Sequence, residues 1–204
     1  MYNISYFTET DRELIITFMK KYSFAMVTGI GENYPVATQL PLEIEEKDGS
    51  VFLKGHLMRK TDHHLALEKN NNVLVLFTGP HCYVSAAWYN NPNTASTWNY
   101  MTVHARGKII FTDEKGTYEA VKSVTNKYEG TETKAAFNNM PQEYIKPILK
   151  AIVGFSIKVE TIENVFKLSQ NKSEEEQLNI ITQLRERNIN NDDLNIANEI
   201  EKRL

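Results

Sequence analysis

Apolar and polar positions along the chain predict short strands joined by turns, with helices toward both ends. Residues 10–21, TDRELIITFMKK, set Leu14 and Phe18 on one helical face, with Thr10 three residues before Glu13 at capping-box spacing. FAMVTGI at 24–30, a GEN turn and YPVATQLPLEI at 34–44 predict a hairpin. Pro35 and Pro41 suggest that its second strand is irregular or close to an edge. A Lys47-Asp48-Gly49 turn leads into SVFLKGH, which extends the meander to residue 56.

Further along, 60–69 predicts a short helix ended by the asparagines at 70–72, and 73–79 a central strand. HCYVSAAWY at 81–89 and STWNYMTVHARGKIIF at 96–111 supply two more strand-like runs. In the second, Trp98, Tyr100, Thr102, His104 and Arg106 share one face, while Asn99, Met101, Val103 and Ala105 share the other. Helices are predicted over 117–129 and 140–151, a strand over 151–160, and a helix after Ser173, whose following glutamates suit the positive helix end. Six or more strands joined mostly by short turns imply a mainly β fold with peripheral helices, a β-barrel rather than a βαβ sheet. The expected organisation is one barrel domain over 1–187, with a late helical insertion, and a C-terminal tail over 188–204 with helical potential.

Charge changes the picture more by its distribution than by its total of -3. Residues 54–108 carry Lys54, Arg59, Lys60, Lys69, Arg106 and Lys108 against Asp62 and Glu68, and they hold all five histidines. No acidic residue stands between Glu68 and Asp113, so this is the segment in which to expect an anion site. A slightly basic surface neutralised by distant elements fits the same residues. The near-balance of 23 basic and 26 acidic side chains argues against a protein that coats nucleic acid. The N-terminus carries no basic region followed by an apolar core, and no stretch approaches a membrane span, so the expectation is a cytoplasmic protein without a membrane partner.

The one cysteine, Cys82, excludes an internal disulfide and any CxxC pair. His63 and His64 are adjacent and point about 100° apart on a helix, which is not a metal-binding spacing. No GxSxG, GxGxxG or P-loop occurs, and no catalytic residue is assigned. The aromatic and polar clusters at 81–89 and 97–100 fit either the walls of a site for a ring-containing ligand or an aromatic barrel core.

TQLPL at 38–42, GHLMRKTDH at 55–63, HCYVSAAWY at 81–89, TWNYMTVHARG at 97–107, AIVGFSIKVETIE at 151–163 and FKLSQNKS at 166–173 occur in this order over most of the chain. In these segments the chain resembles the PaiB-like family of FMN-binding negative transcriptional regulators, the protease synthase and sporulation negative regulatory proteins. It departs from them at Ser85-Ala86-Ala87-Trp88-Tyr89, where many members have an SPSWY-like segment, and at Lys60-Thr61-Asp62, where they have an alanine-asparagine-proline run.

The resemblance implies an FMN-binding split β-barrel that forms homodimers. It places His56, Arg59 and Lys60, with His63 beside them, near the anionic end of the flavin, and Ser85, Trp88, Trp98 and Asn99 near the ring or ribityl region. Lys167, Ser169, Gln170 and Asn171 form a second polar group that would close a site as a lid or from the partner subunit. The implied function is FMN-binding negative transcriptional regulation through a ligand-dependent state or a DNA or protein partner. The alternative is a flavin-dependent oxidoreductase using a nicotinamide donor. The helix at 174–187 opens with three glutamates, which disfavours it as a DNA-reading helix.

Overall fold

The computed structural model describes residues 2, 4–91 and 93–204. Seven strands form one antiparallel sheet in the order β2-β1-β5-β6-β7-β4-β3. They are β1 (Phe24–Ile30), β2 (Pro35–Pro41), β3 (Glu43–Lys47), β4 (Ser50–Met58), β5 (Asn72–Val84), β6 (Thr97–Phe111) and β7 (Ile152–Lys167). The helices are α1 (Arg12–Lys21), α2 (Asp62–Lys69), α3 (Glu114–Glu129), α4 (Gln142–Ala151), α5 (Glu174–Arg187) and α6 (Asn191–Glu201).

The expected mainly β split barrel is therefore corrected to a mixed α/β fold whose sheet is open. Its ends are β2, which starts and finishes with prolines that cannot donate to a ladder, and β3, five residues rich in charge. Both are sequences that suit an edge. Helices also occupy nearly as much of the chain as strands do.

The chain divides into two compact units. The larger comprises Met19–Phe77 and His104–Ile162, and the smaller Met1–Phe18, Thr78–Val103 and Glu163–Leu204.

In the larger unit, β1 pairs in register with β2 (Met26 opposite Gln39) and β5 (Met26 opposite Leu76), and β4 pairs with β3 and β7. Alternation buries Val51, Leu53 and Leu57 of β4, while Phe52, Lys54 and His56 stay half-buried on the other face. Thr61 caps α2 by accepting the His64 N–H. Phe137, Ile145 and Leu149 form a separate apolar cluster, with Tyr118 and Val121 of α3 against it.

In the smaller unit, Phe18, Met101, Phe166, Ile180, Leu184 and Ile196 are among the buried apolar residues. Ser173 and Glu176 make a complete capping box on α5. The cap of α1, by contrast, is Asp11, whose carboxylate accepts the N–H groups of Glu13 and Leu14, and not the expected Thr10. The 81–89 run is strand only to Val84, after which Ala86–Trp88 form a 3-10 turn.

Candidate functional site

In the larger unit, four expected ligand-binding residues stand at the end of β4 and the start of α2. His56 lies opposite Gly154 on β7, and partial burial holds its imidazole pKa below the usual value. Arg59 is tied down twice: its backbone N–H donates to Ala151 and its Nε to the Ile152 carbonyl, both at 2.8 Å. Its two terminal nitrogens have no partner among the described residues. They are the part of the guanidinium left for an anion.

Lys60 follows in the left-handed region at φ 63°, and its N–H donates to Nδ1 of His64 at 3.3 Å. His63 sits against Thr61 and Asp62, with 3.0 Å to each. The Asp62 carboxylate accepts the His63 N–H and ring, and these contacts depress its pKa. A carboxylate therefore already occupies this helix start, so the cations at 59 and 60, rather than free helix N–H groups, are what this junction offers an anion.

In the smaller unit, a cavity of about 250 Å3 is lined by the N-terminal turn (Tyr2, Tyr6, Phe7), by Thr94, Ser96 and Thr97, and by Asn99, Lys167, Ser169, Asn171 and Lys172. Ser169 adopts φ 63° just past β7, and its buried hydroxyl pairs with the fully buried Asn99 amide at 2.9 Å. Lys167 donates to the Thr97 hydroxyl, and burial lowers its pKa. The Lys172 ammonium stands 3.8 Å from the centre of the Tyr89 ring.

Four of the expected residues thus meet at this cavity: Asn99, Lys167, Ser169 and Asn171. Gln170 instead clamps the turn, accepting the Leu168 N–H and donating to the Phe166 carbonyl. Ser85 caps the 3-10 turn, and the Trp88 ring lies 5.0 Å from the Arg187 guanidinium. Trp98 is 54% exposed on the face of β6 opposite Asn99, near the rings of His81 and Tyr83.

The donor set suits part of a phosphorylated ring compound: two ammonium groups, four serine and threonine hydroxyls and tyrosine rings, with no carboxylate in the lining. Its volume falls below the roughly 300 Å3 at which small-molecule clefts begin, so it holds one portion of such a ligand. The sequence reading missed Tyr2, Tyr6, Phe7 and Lys172. The available signal was the aromatic spacing of the N-terminal segment and the second lysine in KLSQNK.

Residues 1–161 match the family model described as "Putative FMN-binding domain". The chain belongs to this family. FMN is accordingly its cofactor, and the donor set above fits that assignment. The Bacillus subtilis "Protease synthase and sporulation protein PAI 2" is 36% identical over 185 residues, covering 90% of this chain and 89% of the relative, which makes this a PaiB-like member. Among solved structures, the FAD and heme binding protein of Mycobacterium smegmatis has a TM-score of 0.61 at 13% identity, covering 84% of this chain and 78% of that one. The flavocytochrome Anf3 of Azotobacter vinelandii has a TM-score of 0.55 at 14% identity, covering 81% and 72%. These two likenesses concern the fold. Among the described residues no helix is long and apolar enough to cross a membrane.

Proposed function

We propose that this PaiB-like protein is a cytoplasmic, FMN-dependent negative transcriptional regulator that acts as a homodimer, through a ligand-dependent state or a partner. The observation that carries the reading is the carboxylate-free cavity around Lys167, in a chain that belongs to an FMN-binding family. Of the site residues, Lys167, Asn99, Ser169 and Asn171 of the smaller unit would contact one portion of a flavin. In the larger unit, taken by itself, Arg59 and Lys60 offer positive charge to a phosphate. His56, His63, Ser85, Trp88 and Trp98 are further candidates, each within its own unit. Bound FMN would supply a redox-active ring; the protein's own groups bind and orient it.

Dimerisation is supported by the outward face of β1. Phe24, Met26 and Ile30 are exposed there at 64%, 37% and 59%, and Leu76 of β5 lies beside Met26 in register. A face this apolar suits contact with a second copy. Met26→Lys should give a monomer in sedimentation; an unchanged dimer would remove β1 from the seam.

The first turns of α5 and α6 carry Glu174, Glu175, Glu176 and Asp192, charges that repel DNA phosphates. This favours regulation through assembly or a partner over autonomous DNA reading. The test is a titration of purified protein against its own promoter and a scrambled fragment at physiological salt, with and without FMN. Weak, equal binding to both fragments supports the partner route. Nanomolar selective binding by the isolated protein overturns it, and rapid flavin reduction by NADH or NADPH would favour the oxidoreductase alternative.

A further inference from the structure

A second cavity, of about 380 Å3, lies wholly within the larger unit, and none of the residues expected to hold flavin lines it. One wall is a stripe of α3, in which Gly116, Glu119, Ser123 and Lys127 follow one another at three- and four-residue steps, with Ala120 and Val124 beside them. Across from it are Leu42, Glu43 at the start of β3, Lys54 and Gly55 of β4, and Phe155 and Ser156 of β7. Register orders this wall: Glu43 is opposite Lys54, and Lys54 is opposite Ser156.

Leu42 and Phe155 are almost fully buried, so the inner surface is apolar and fixed by the sheet. The space depends on Gly55. A Cβ at that position would come within 2.9 Å of Phe155 Cζ and 3.2 Å of Leu42 Cδ2.

The charged groups of the lining are not equally available. Lys54 is ion-paired with Glu45, and Lys127 donates to the Ser23 hydroxyl at 3.4 Å. The Glu43 carboxylate accepts the Ser123 hydroxyl at 2.7 Å through one oxygen, which leaves the other. Glu119, one turn before Ser123, has no partner among the described residues. With Lys54 neutralised by Glu45, the lining is net negative, Glu43 and Glu119 against the Lys127 ammonium that faces Ser23, and these carboxylates are set above an apolar surface.

We propose that this cavity binds a small protonated amine carried on a compact apolar body. The ammonium would lie between Glu119 and Glu43, and the body against Leu42, Val124 and Phe155. The volume falls in the range of small-molecule clefts, roughly 300–1,000 Å3. The same carboxylates would repel the phosphate of FMN, so this site is separate in chemistry from the flavin assignment and does not depend on it.

The probes are phenethylamine and phenylpropionate, which share an apolar ring and differ in the sign of the charge. Each is titrated calorimetrically into the full chain, with and without FMN. Phenethylamine should bind in both states, and phenylpropionate should give no saturable heat. Glu119→Gln should weaken amine binding about tenfold, the loss of one charge-assisted contact. Ala120→Leu, a helix-compatible change that fills the cavity, should abolish it, with circular dichroism confirming the fold. FMN titrations should be unchanged in both variants. Equal binding of the two probes, amine binding indifferent to both substitutions, or no binding of phenethylamine at millimolar concentration would overturn the proposal. Failure of FMN to bind would instead count against the flavin assignment alone.

Discussion

The side chains of Asn99 and Ser169, 70 residues apart in sequence, hydrogen-bond at 2.9 Å with 0% and 3% of their surfaces exposed. Asn99 comes from the inward face of β6, and Ser169 from the left-handed position just after β7. The pair anchors the turn that carries Lys167, Asn171 and Lys172 into the cavity. Asn99→Ala strands the Ser169 hydroxyl and should cost about 1–3 kcal/mol in urea unfolding, with weaker FMN binding. Ser169→Ala loses the bond and keeps the left-handed strain, whereas Ser169→Gly relieves that strain. The glycine variant should therefore be the more stable of the two by about 1 kcal/mol. The reverse order would show that the backbone at 169 is not strained.

Lys167 predicts two opposite pH dependences. Burial lowers its pKa, so the fold disfavours the charged amine. The stability of the flavin-free protein should rise with pH between the depressed folded value and the ordinary lysine value, because the unfolded chain keeps its proton longer. Anion binding needs the proton, so FMN affinity should fall over the same interval. Lys167→Met should remove both trends and weaken FMN binding by about 1.5–3 kcal/mol. Parallel profiles for the variant and the parent would exclude this amine from the flavin site.

Period and spacing made some of this legible. The two-residue alternation from Trp98 to Ile110 was readable because each side chain's face follows from the pleat alone, and the Ser173 capping box because it spans three residues. Barrel closure was not readable, since it depends on whether β2 and β3, which a single residue separates in sequence, share a ladder. Lys167, Ser169 and Asn171 stood out in one polar run, but the same run includes Gln170, whose amide turns back onto the chain. The α3 cavity depends on a missing Cβ at Gly55 opposite a helix sixty residues away, and no local pattern records that.

Arg59 and Lys60 can be separated by substitution. Arg59→Lys keeps the charge but loses the Nε contact to Ile152, so it should retain part of the FMN affinity that Arg59→Ala loses, about 1.5–3 kcal/mol. Lys60→Gly removes the charge while easing φ 63°, and should raise the melting temperature as it weakens FMN binding. Unchanged flavin titrations for the single variants and for the Arg59→Ala, Lys60→Gly double variant would release both residues from the phosphate assignment.

Arg187 and Asp193 should dominate the stability of the smaller unit at low pH. The guanidinium donates to both oxygens of the Asp193 carboxylate, which is 2% exposed, and to the Tyr83 carbonyl at 2.8 Å, while lying over the Trp88 ring. The Arg187 contact holds the Asp193 pKa below its ordinary value of 3.8. A depressed carboxylate pKa gives stability that is complete above the unfolded value and lost as pH falls through the folded one, so the loss belongs to strongly acidic solution. Arg187→Met leaves a buried carboxylate unpaired and should cost about 3–5 kcal/mol at neutral pH, with a change in Trp88 fluorescence. The neighbouring Cys82 thiol, pushed up to about 12 chiefly by burial, should resist thiol reagents at neutral pH in the parent. In Arg187→Met it should react at the rate of local opening. If Cys82 labels as fast in the folded parent as in urea, the thiol is not buried and this packing around Arg187 is wrong.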